Sequence, residues 1–315
     1  MQDIDHYIDF VDHDRFTMPE GVARVTAGSG GEAYLIDCNG KTALYDCGMA
    51  YCHDELLKNI RSKLSEWGYE KLDYALLSHT HYDHIGALPY VIEAYPEIVV
   101  IAAPKAEKVF LSEGAKKTMK RLGEAARDRY GNEFQQAQDI LVSPLRVDIS
   151  ASDMQDIEIG EKTIRVVFSP GHTDCSVCYL VLPDSIMFLS ETTGVIRGPE
   201  YLTTAILKDY TQSIESTYKC KNIGAKILIP SHFGTIPEYY NNRYYDLFLE
   251  TAEKEKEAIV SLYNKGASFD ELLECYKDMN WTVARSKVQP YEAFLENANY
   301  IIRHLVEKFG DKKEN

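Results

Sequence analysis

The spacing of hydrophobic positions changes character along the chain. From about 21 to 103 the apolar runs are short and separated by turn residues, which predicts strands. Val22 and Val25 lead into Gly28-Ser-Gly-Gly31; 33–36 reads as a strand, Asn39-Gly40 as a tight hairpin turn and 42–45 as the returning partner. Leu56, Leu57, Ile60 and Leu64 fall on one stripe and predict a helix over 55–67, followed by short strands at 74–77 and 98–103. The spacing predicts a long helix over 104–140. Strands return at 163–168, 177–182 and 186–189, with a turn approach at 157–160. A helix over 206–223 and a last strand at 226–229 complete this part.

From about 243 only the helical period remains. Leu247, Phe248, Ala252, Ile259 and Leu262 form a stripe ending at Asn264-Lys-Gly266, and Ser268-Phe-Asp-Glu271 has the form of a capping box. Phe294, Ala298, Ile301, Ile302, Leu305 and Phe309 form another stripe, with Gly310 where a helix C-terminus wants glycine. Residues 1–20 read as an irregular arm or edge strand. The expected organisation is an α/β body at 1–240 and a helical segment at 241–315, without internal repeats.

Composition narrows the functions open to such a chain. Asp and Glu outnumber Lys and Arg by 49 to 34, a net charge of −15 that repels nucleic acid and anionic membranes. No apolar run reaches the roughly 20 residues of a membrane span. The N-terminus lacks the basic and apolar regions of a secretory signal, and the seven cysteines are odd in number and irregularly spaced. A cytoplasmic protein acting on a small molecule is expected, with no nucleic-acid or membrane partner; a homodimer is compatible with the sequence. Between 105 and 129, eight basic positions face four acidic ones, so this helix is either a solvated face or an attractor for an anionic substrate.

The chemistry concentrates in Ser78-His-Thr-His-Tyr-Asp-His-Ile-Gly86. Of nine histidines in the chain, three fall within six positions together with Asp83, just after a strand. Imidazole and carboxylate are donors that Zn²⁺, Fe and Mn²⁺ accept. The strand-then-histidine arrangement recurs at Pro170-Gly-His-Thr173 and Pro230-Ser-His-Phe-Gly234, and Ser190-Glu191 follows another strand. His79, His81, Asp83, His84, His172, Glu191 and His232 are therefore the candidate metal ligands. His6, His13, His53 and His304 lack this context. Cys175-Ser-Val-Cys178 has no second pair to complete a zinc site and reads as core. Tyr239, Tyr240, Tyr244 and Tyr245 either line a pocket or pack the C-terminal helices.

This ordered set resembles the metallo-β-lactamase superfamily over about 21–235. The resemblance implies a four-layer αβ/βα sandwich with a helical C-terminal extension and a dinuclear site where strand-end loops meet. It implies one metal on His79, His81 and His172 and a second on Asp83, His84 and His232. Glu191 stands where a bridging aspartate is usual. Asp46, in an Asp-x-Gly turn, is implied to support the site rather than ligate. Ser190, Ser231 and Phe233 occupy positions where glycines are common, and Phe233 is expected to narrow the site.

The longer context, including Ser112-Glu-Gly-Ala115, Gly171-His-Thr-Asp174 and Ala267-Ser-Phe-Asp-Glu-Leu272, is similar to the PqsE type of quinolone-signal thioesterase, whose C-terminal helices cover the metals. The implied activity is metal-dependent hydrolysis of a small ester or acyl-CoA-like thioester. Two divalent ions (zinc first, with iron or manganese also suited) would share one activated water, which Asp83 would orient. The alternatives are a phosphodiesterase or phosphorylcholine-esterase-like hydrolase, and a metal-containing regulatory or ligand-binding protein. A diiron role ranks low because the flavodiiron pattern carries glutamate at the position of His81.

Overall fold

The computed structural model describes residues 16–131 and 139–311. Most of the expected N-terminal arm, His6, His13, and 132–138 of the expected long helix lie outside the described residues.

The first sheet holds β1 (Val22–Arg24), β2 (Tyr34–Asp37), β3 (Thr42–Tyr45), β4 (Tyr74–Leu76), β5 (Val99–Ala102) and β6 (Ile149–Ser150), in that order. β1, β2 and β3 are antiparallel neighbours, with Asn39 and Gly40 at positive φ in the tight turn the sequence predicts. β3 through β6 run parallel, so their crossovers need long connections. These carry α1 (His53–Glu66), α2 (Tyr82–Ile85), α3 (Leu88–Ala94), α4 (Pro104–Leu111) and α5 (Glu113–Tyr130). The expected helix over 104–140 is thus broken at Ser112. There the chain turns extended, and the Ser112 hydroxyl caps the next helix by accepting from the Ala115 amide.

The second sheet is built from β7 (Asp156–Ile159), β8 (Lys162–Phe168), β9 (Val177–Leu182) and β10 (Ile186–Phe188). A separate hairpin, β11 (Val195–Gly198) with β12 (Tyr201–Thr203), follows before β13 (Ile227–Ile229) joins the sheet, whose order is β13-β10-β9-β8-β7. β8 and β10 each run antiparallel to β9, and β13 runs parallel to β10. The C-terminal ends of β8, β10 and β13 therefore share one edge. The Val177 amide donates to the Ser78 carbonyl, bringing the end of β4 to that edge.

Alternation along the second sheet explains its almost continuously apolar sequence. Val177, Tyr179 and Val181 of β9 enter one core with the first sheet, while Cys178 and Leu180 enter a second core. Tyr45 binds the two sheets together: its ring lies 4.8 Å from that of Phe188, and its hydroxyl donates to the Leu189 carbonyl. The second core is closed by α6 (Tyr210–Ile223), α7 (Asn241–Asn264), α8 (Phe269–Asn280) and α10 (Tyr291–Phe309), with α9 (Val283–Val288) between the last two. The architecture is the expected α/β sandwich with a helical C-terminal region.

Two expectations are corrected. The helix over 206–223 begins only at Tyr210, where Asp209 caps it by accepting from the Gln212 amide; Ile206 and Leu207 pack against the second core from the loop before it. Phe233 turns into the second core instead of narrowing the site. Of the four tyrosines at 239–245, Tyr240, Tyr244 and Tyr245 are buried in that core, while Tyr239 is exposed. Among the described residues no helix is long and apolar enough to cross a membrane.

Candidate metal centre

All seven candidate ligands meet at the shared edge. They form two groups, His79, His81 and His172 in one and Asp83, His84, Glu191 and His232 in the other, and within each group the ligand atoms lie within 4.8 Å of one another.

The second nitrogens of the imidazoles show which atoms are free to ligate. Ser78 Oγ donates to Asp46 Oδ2 at 2.7 Å, so it accepts from His79 Nδ1 at 2.9 Å. His172 Nδ1 donates to the Ala205 carbonyl at 2.6 Å. Both rings thus keep a bare Nε2. Those two atoms stand 3.0 and 2.9 Å from His81 Nδ1. This clustering of ring nitrogens is the arrangement a shared cation needs, since tetrahedral ligands of zinc stand roughly 3.3 Å apart. The electrostatics agree. Burial pushes His79 well below the usual imidazole range, and burial with the neighbouring His172 pushes His81 down to about 3, so both rings are neutral donors near pH 7.

The second group is organised by carboxylates. His84 Nδ1 donates to Asp46 Oδ2 at 2.7 Å, directing Nε2 toward Glu191 Oε1 at 2.9 Å and His232 Nε2 at 3.1 Å. Burial opposes charge on His84, yet Asp83 and Asp46 lift its pKa well above the ordinary value, marking a place where positive charge is stabilised. Burial also works against the Glu191 carboxylate, but His172 and His232 hold it well below its usual range. Glu191 reaches both groups: Oε1 lies 2.5 Å from His232 Nε2 and Oε2 lies 3.3 Å from His172 Nε2. The extra methylene relative to aspartate therefore still allows a spanning carboxylate. Asp83 Oδ2 stands farther off, 3.9 Å from His84 Nε2 and 3.7 Å from His232 Nε2, with its side chain open to the cavity.

Asp46 is not among the grouped ligands. It is buried and accepts from the Ser78 amide, the Ser78 hydroxyl and His84, which uses its lone pairs on support. Asp46→Asn is expected to weaken metal affinity roughly 10–100-fold while leaving the far-ultraviolet circular dichroism unchanged. Metal titration of the apo-protein checks this.

The backbone is unusual here. Asp46, Ala205 and His232 are non-glycine residues at positive φ, and each either belongs to the cluster or binds it directly. Gly171 has φ of +136°, and a Cβ on it would come within 2.2 Å of Ser213 Oγ and 2.6 Å of the α6 backbone. Its carbonyl accepts from the Lys208 and Asp209 amides, tying the His172 loop to the start of α6. Gly171→Ala is expected to cost about 1–3 kcal/mol in stability and to reduce activity by displacing His172. A denaturant melt and a turnover assay read the two effects.

The serines at the usual glycine positions close the same edge. Ser231 Oγ donates to the Leu189 carbonyl, and the Ser190 hydroxyl pairs with that of Ser169 at 2.8 Å. Tyr244 OH donates to the Gly194 carbonyl and pairs with Thr193 Oγ1, anchoring the turn that carries Glu191 to α7. The Ala205 carbonyl was not legible in the sequence, since a backbone acceptor leaves no residue-type signal. Cys175 lines the cavity outside both groups, and Cys178 is buried. His53 stacks on Tyr90 with ring centroids 3.6 Å apart, and His304 Nε2 accepts from the Tyr210 amide, so neither joins the centre.

The cluster opens into a cavity of about 870 Å³. Lys105, Lys108 and Lys208 lie along it, with Lys105 and Lys208 both near Asp174 at 3.6 and 3.8 Å. Arg285, Gln289, Ala293 and Tyr300 of the C-terminal region line it as well. Nitrogen and carboxylate donors without thiolate suit two divalent ions; the donor set fits, and it does not choose among zinc, iron and manganese.

Comparison with known proteins agrees with this geometry. The sequence profile of the Metallo-beta-lactamase superfamily matches residues 27–232. The chain is 26% identical over 172 residues to the metallo-beta-lactamase fold-containing protein ST1585 of Sulfurisphaera tokodaii, covering 53% of this chain and 62% of that protein. It is 22% identical over 250 residues to the atrochrysone carboxyl ACP thioesterase of Aspergillus fumigatus, covering 77% and 65% respectively. It is 24% identical over 198 residues to the hydroxyacylglutathione hydrolase of Francisella philomiragia, covering 62% of each. The chain thus spans less than two thirds of the length of these relatives. Among solved structures, a metallo-beta-lactamase family protein of Thermus thermophilus superposes with a TM-score of 0.62 at 15% identity, over 90% of this chain and 94% of that one. With the sandwich, the seven converging candidate ligands and the matched profile in agreement, the chain belongs to the metallo-β-lactamase superfamily, whose members are mostly metal-dependent hydrolases.

Proposed function

We propose that this protein hydrolyses a small thioester or ester, of the acyl-CoA-like class, at a dinuclear centre held by His79, His81 and His172 on one side and Asp83, His84 and His232 on the other, with Glu191 between them. The observation that carries the reading is the spanning position of Glu191 on the wall of a cavity with lysines along it. Bound divalent ions would supply Lewis acidity and a water acidic enough to ionise near neutral pH.

The remaining work falls to side chains. Asp83 is open to the cavity, which suits its carboxylate to orient water beside the reacting carbon. Lys105, Lys108 and Lys208 supply positive charge for an anionic leaving group. A thiolate leaves without a strong acid, because a thiol has a pKa of roughly 8.5. The C-terminal segment from 241 would act as the substrate-covering wall, as in the PqsE type, through Arg285, Gln289 and Ala293. The relatives named as a thioesterase and as a hydroxyacylglutathione hydrolase support the reading. A cytoplasmic location and a small-molecule substrate belong to the same proposal.

The test is turnover of the metal-loaded chain on acyl-CoA and on bis(p-nitrophenyl) phosphate. Thioester turnover exceeding phosphodiester turnover supports the proposal; the reverse preference replaces it with a phosphodiesterase.

A further inference from the structure

The cavity contains a second charged feature that the hydrolytic cluster does not use. Arg197, on β11, lines it and makes no hydrogen bond or ion pair with a described residue; its Nε is buried without a partner. Arg285, on α9, lines the same cavity at only 4% exposure. Arg285 is held rigid: its Nε donates to Gln289 Oε1 at 2.6 Å, and its guanidinium lies 4.8 Å from the Phe294 ring centroid. The two arginines feel each other. Burial, with Arg285 adding to it, pushes Arg197 down to about 10.

Arg285 also donates from Nη1 to the Asn280 carbonyl at 3.4 Å, so its partners are neutral, and two guanidinium groups lining one cavity are costly unless an anion answers them. The carboxylates around them are already committed. Glu32 accepts from Arg24, Thr26 and Tyr34, and Glu191 belongs to the cluster. Glu255, which acts on Arg285, is pushed toward its neutral form by burial and accepts from Thr204. Glu191 and Glu32 act on Arg197 only through space, and no described side chain pairs with it directly.

We propose that Arg197 and Arg285 form an anion subsite, and that the acyl part of the substrate carries a carboxylate which this subsite receives. The proposal rests on the hydrolase reading and deepens it. A planar guanidinium fork matches a carboxylate in bidentate fashion. The nearly buried position of Arg285 suits a compact acyl group, while the more exposed Lys105 and Lys208 suit the leaving group.

The experiment compares glutaryl and pentanoyl thioesters of N-acetylcysteamine with the metal-loaded full chain. It also measures calorimetric binding of glutarate and of inorganic phosphate. The expected result is a kcat/KM at least about tenfold higher for the glutaryl ester. In Arg197→Met that preference is expected to collapse toward one through a rise in KM, and Arg197→Lys restores part of it. Glutarate binding is expected to weaken by at least about tenfold in Arg197→Met. Equal hydrolysis of both esters, or glutarate binding that Arg197→Met leaves intact, overturns the subsite and leaves the hydrolase reading standing. Glutarate binding that depends on Arg197, without hydrolysis of either ester, supports the subsite and sinks the hydrolase reading. Phosphate binding tighter than glutarate overturns the carboxylate class.

Discussion

Treatment with a strong chelator is expected to abolish turnover and to lower the melting temperature by on the order of 10 °C. The reason lies in where the ligands come from. His79, His81, Asp83 and His84 follow β4 of the first sheet, whereas His172, Glu191 and His232 follow β8, β10 and β13 of the second. Ions bound among them would cross-link two sheets that otherwise meet through apolar contacts and a few hydrogen bonds, such as that of the Tyr45 hydroxyl to the Leu189 carbonyl. They would also take the place of the ring-nitrogen contacts at 2.9 and 3.0 Å around His81 Nδ1. A ligand present at about a thousand times its Kd stabilises the folded state by about 4 kcal/mol. For a chain of this size that corresponds to roughly 1.5 °C per kcal/mol. Calorimetry before and after chelation, then after adding back zinc, iron or manganese, measures it. An unchanged melting temperature with full activity would refute a metal role.

Glu191→Gln is expected to lower turnover at least about 10²-fold and to reduce metal content from about two ions per chain toward one. The swap preserves volume and hydrogen-bonding reach but removes the charge that the imidazoles stabilise. A neutral amide presents an oxygen to only one side, so it cannot answer His232 and His172 together. The loss should exceed the roughly 10–100-fold cost of disturbing an outer-shell partner. Elemental analysis alongside turnover separates the two effects. Two tightly held ions and near-normal turnover in this variant would show that the carboxylate does not join the halves of the centre.

What the sequence discloses of this site depends on how locally the chemistry is written. The segment from His79 to His84 is legible because four donors lie within six residues. His172 and His232 are legible because each follows an apolar strand and a proline-containing turn. Glu191 is weaker, since only its place after a strand separates it from surface glutamates. Arg197 is hidden because the β11–β12 hairpin is short and carries Gly198-Pro199, which reads as loop. Arg285 is hidden because its burial depends on α8 and α10 closing around it. In the fold, the first hairpin and the C-terminal helices are read from local period. The true start of α6 was available in Asp209-x-x-Gln212, but apolar Ile206 and Leu207 extended the apparent stripe.

The left-handed backbone at Asp46, Ala205 and His232 limits how this protein can be altered. Each such residue costs on the order of 1–3 kcal/mol. At Ala205 only the carbonyl takes part, so glycine meets the same need with less strain, while valine or isoleucine there would force the carbonyl away from His172. At Asp46 and His232 the side chain and the backbone are both committed, which leaves no replacement that relieves one without forfeiting the other. Selection for heat resistance and selection for turnover are therefore both expected to accept glycine at Ala205 and to reject it at Asp46, where it removes a buried acceptor, and at His232, where it removes a candidate ligand.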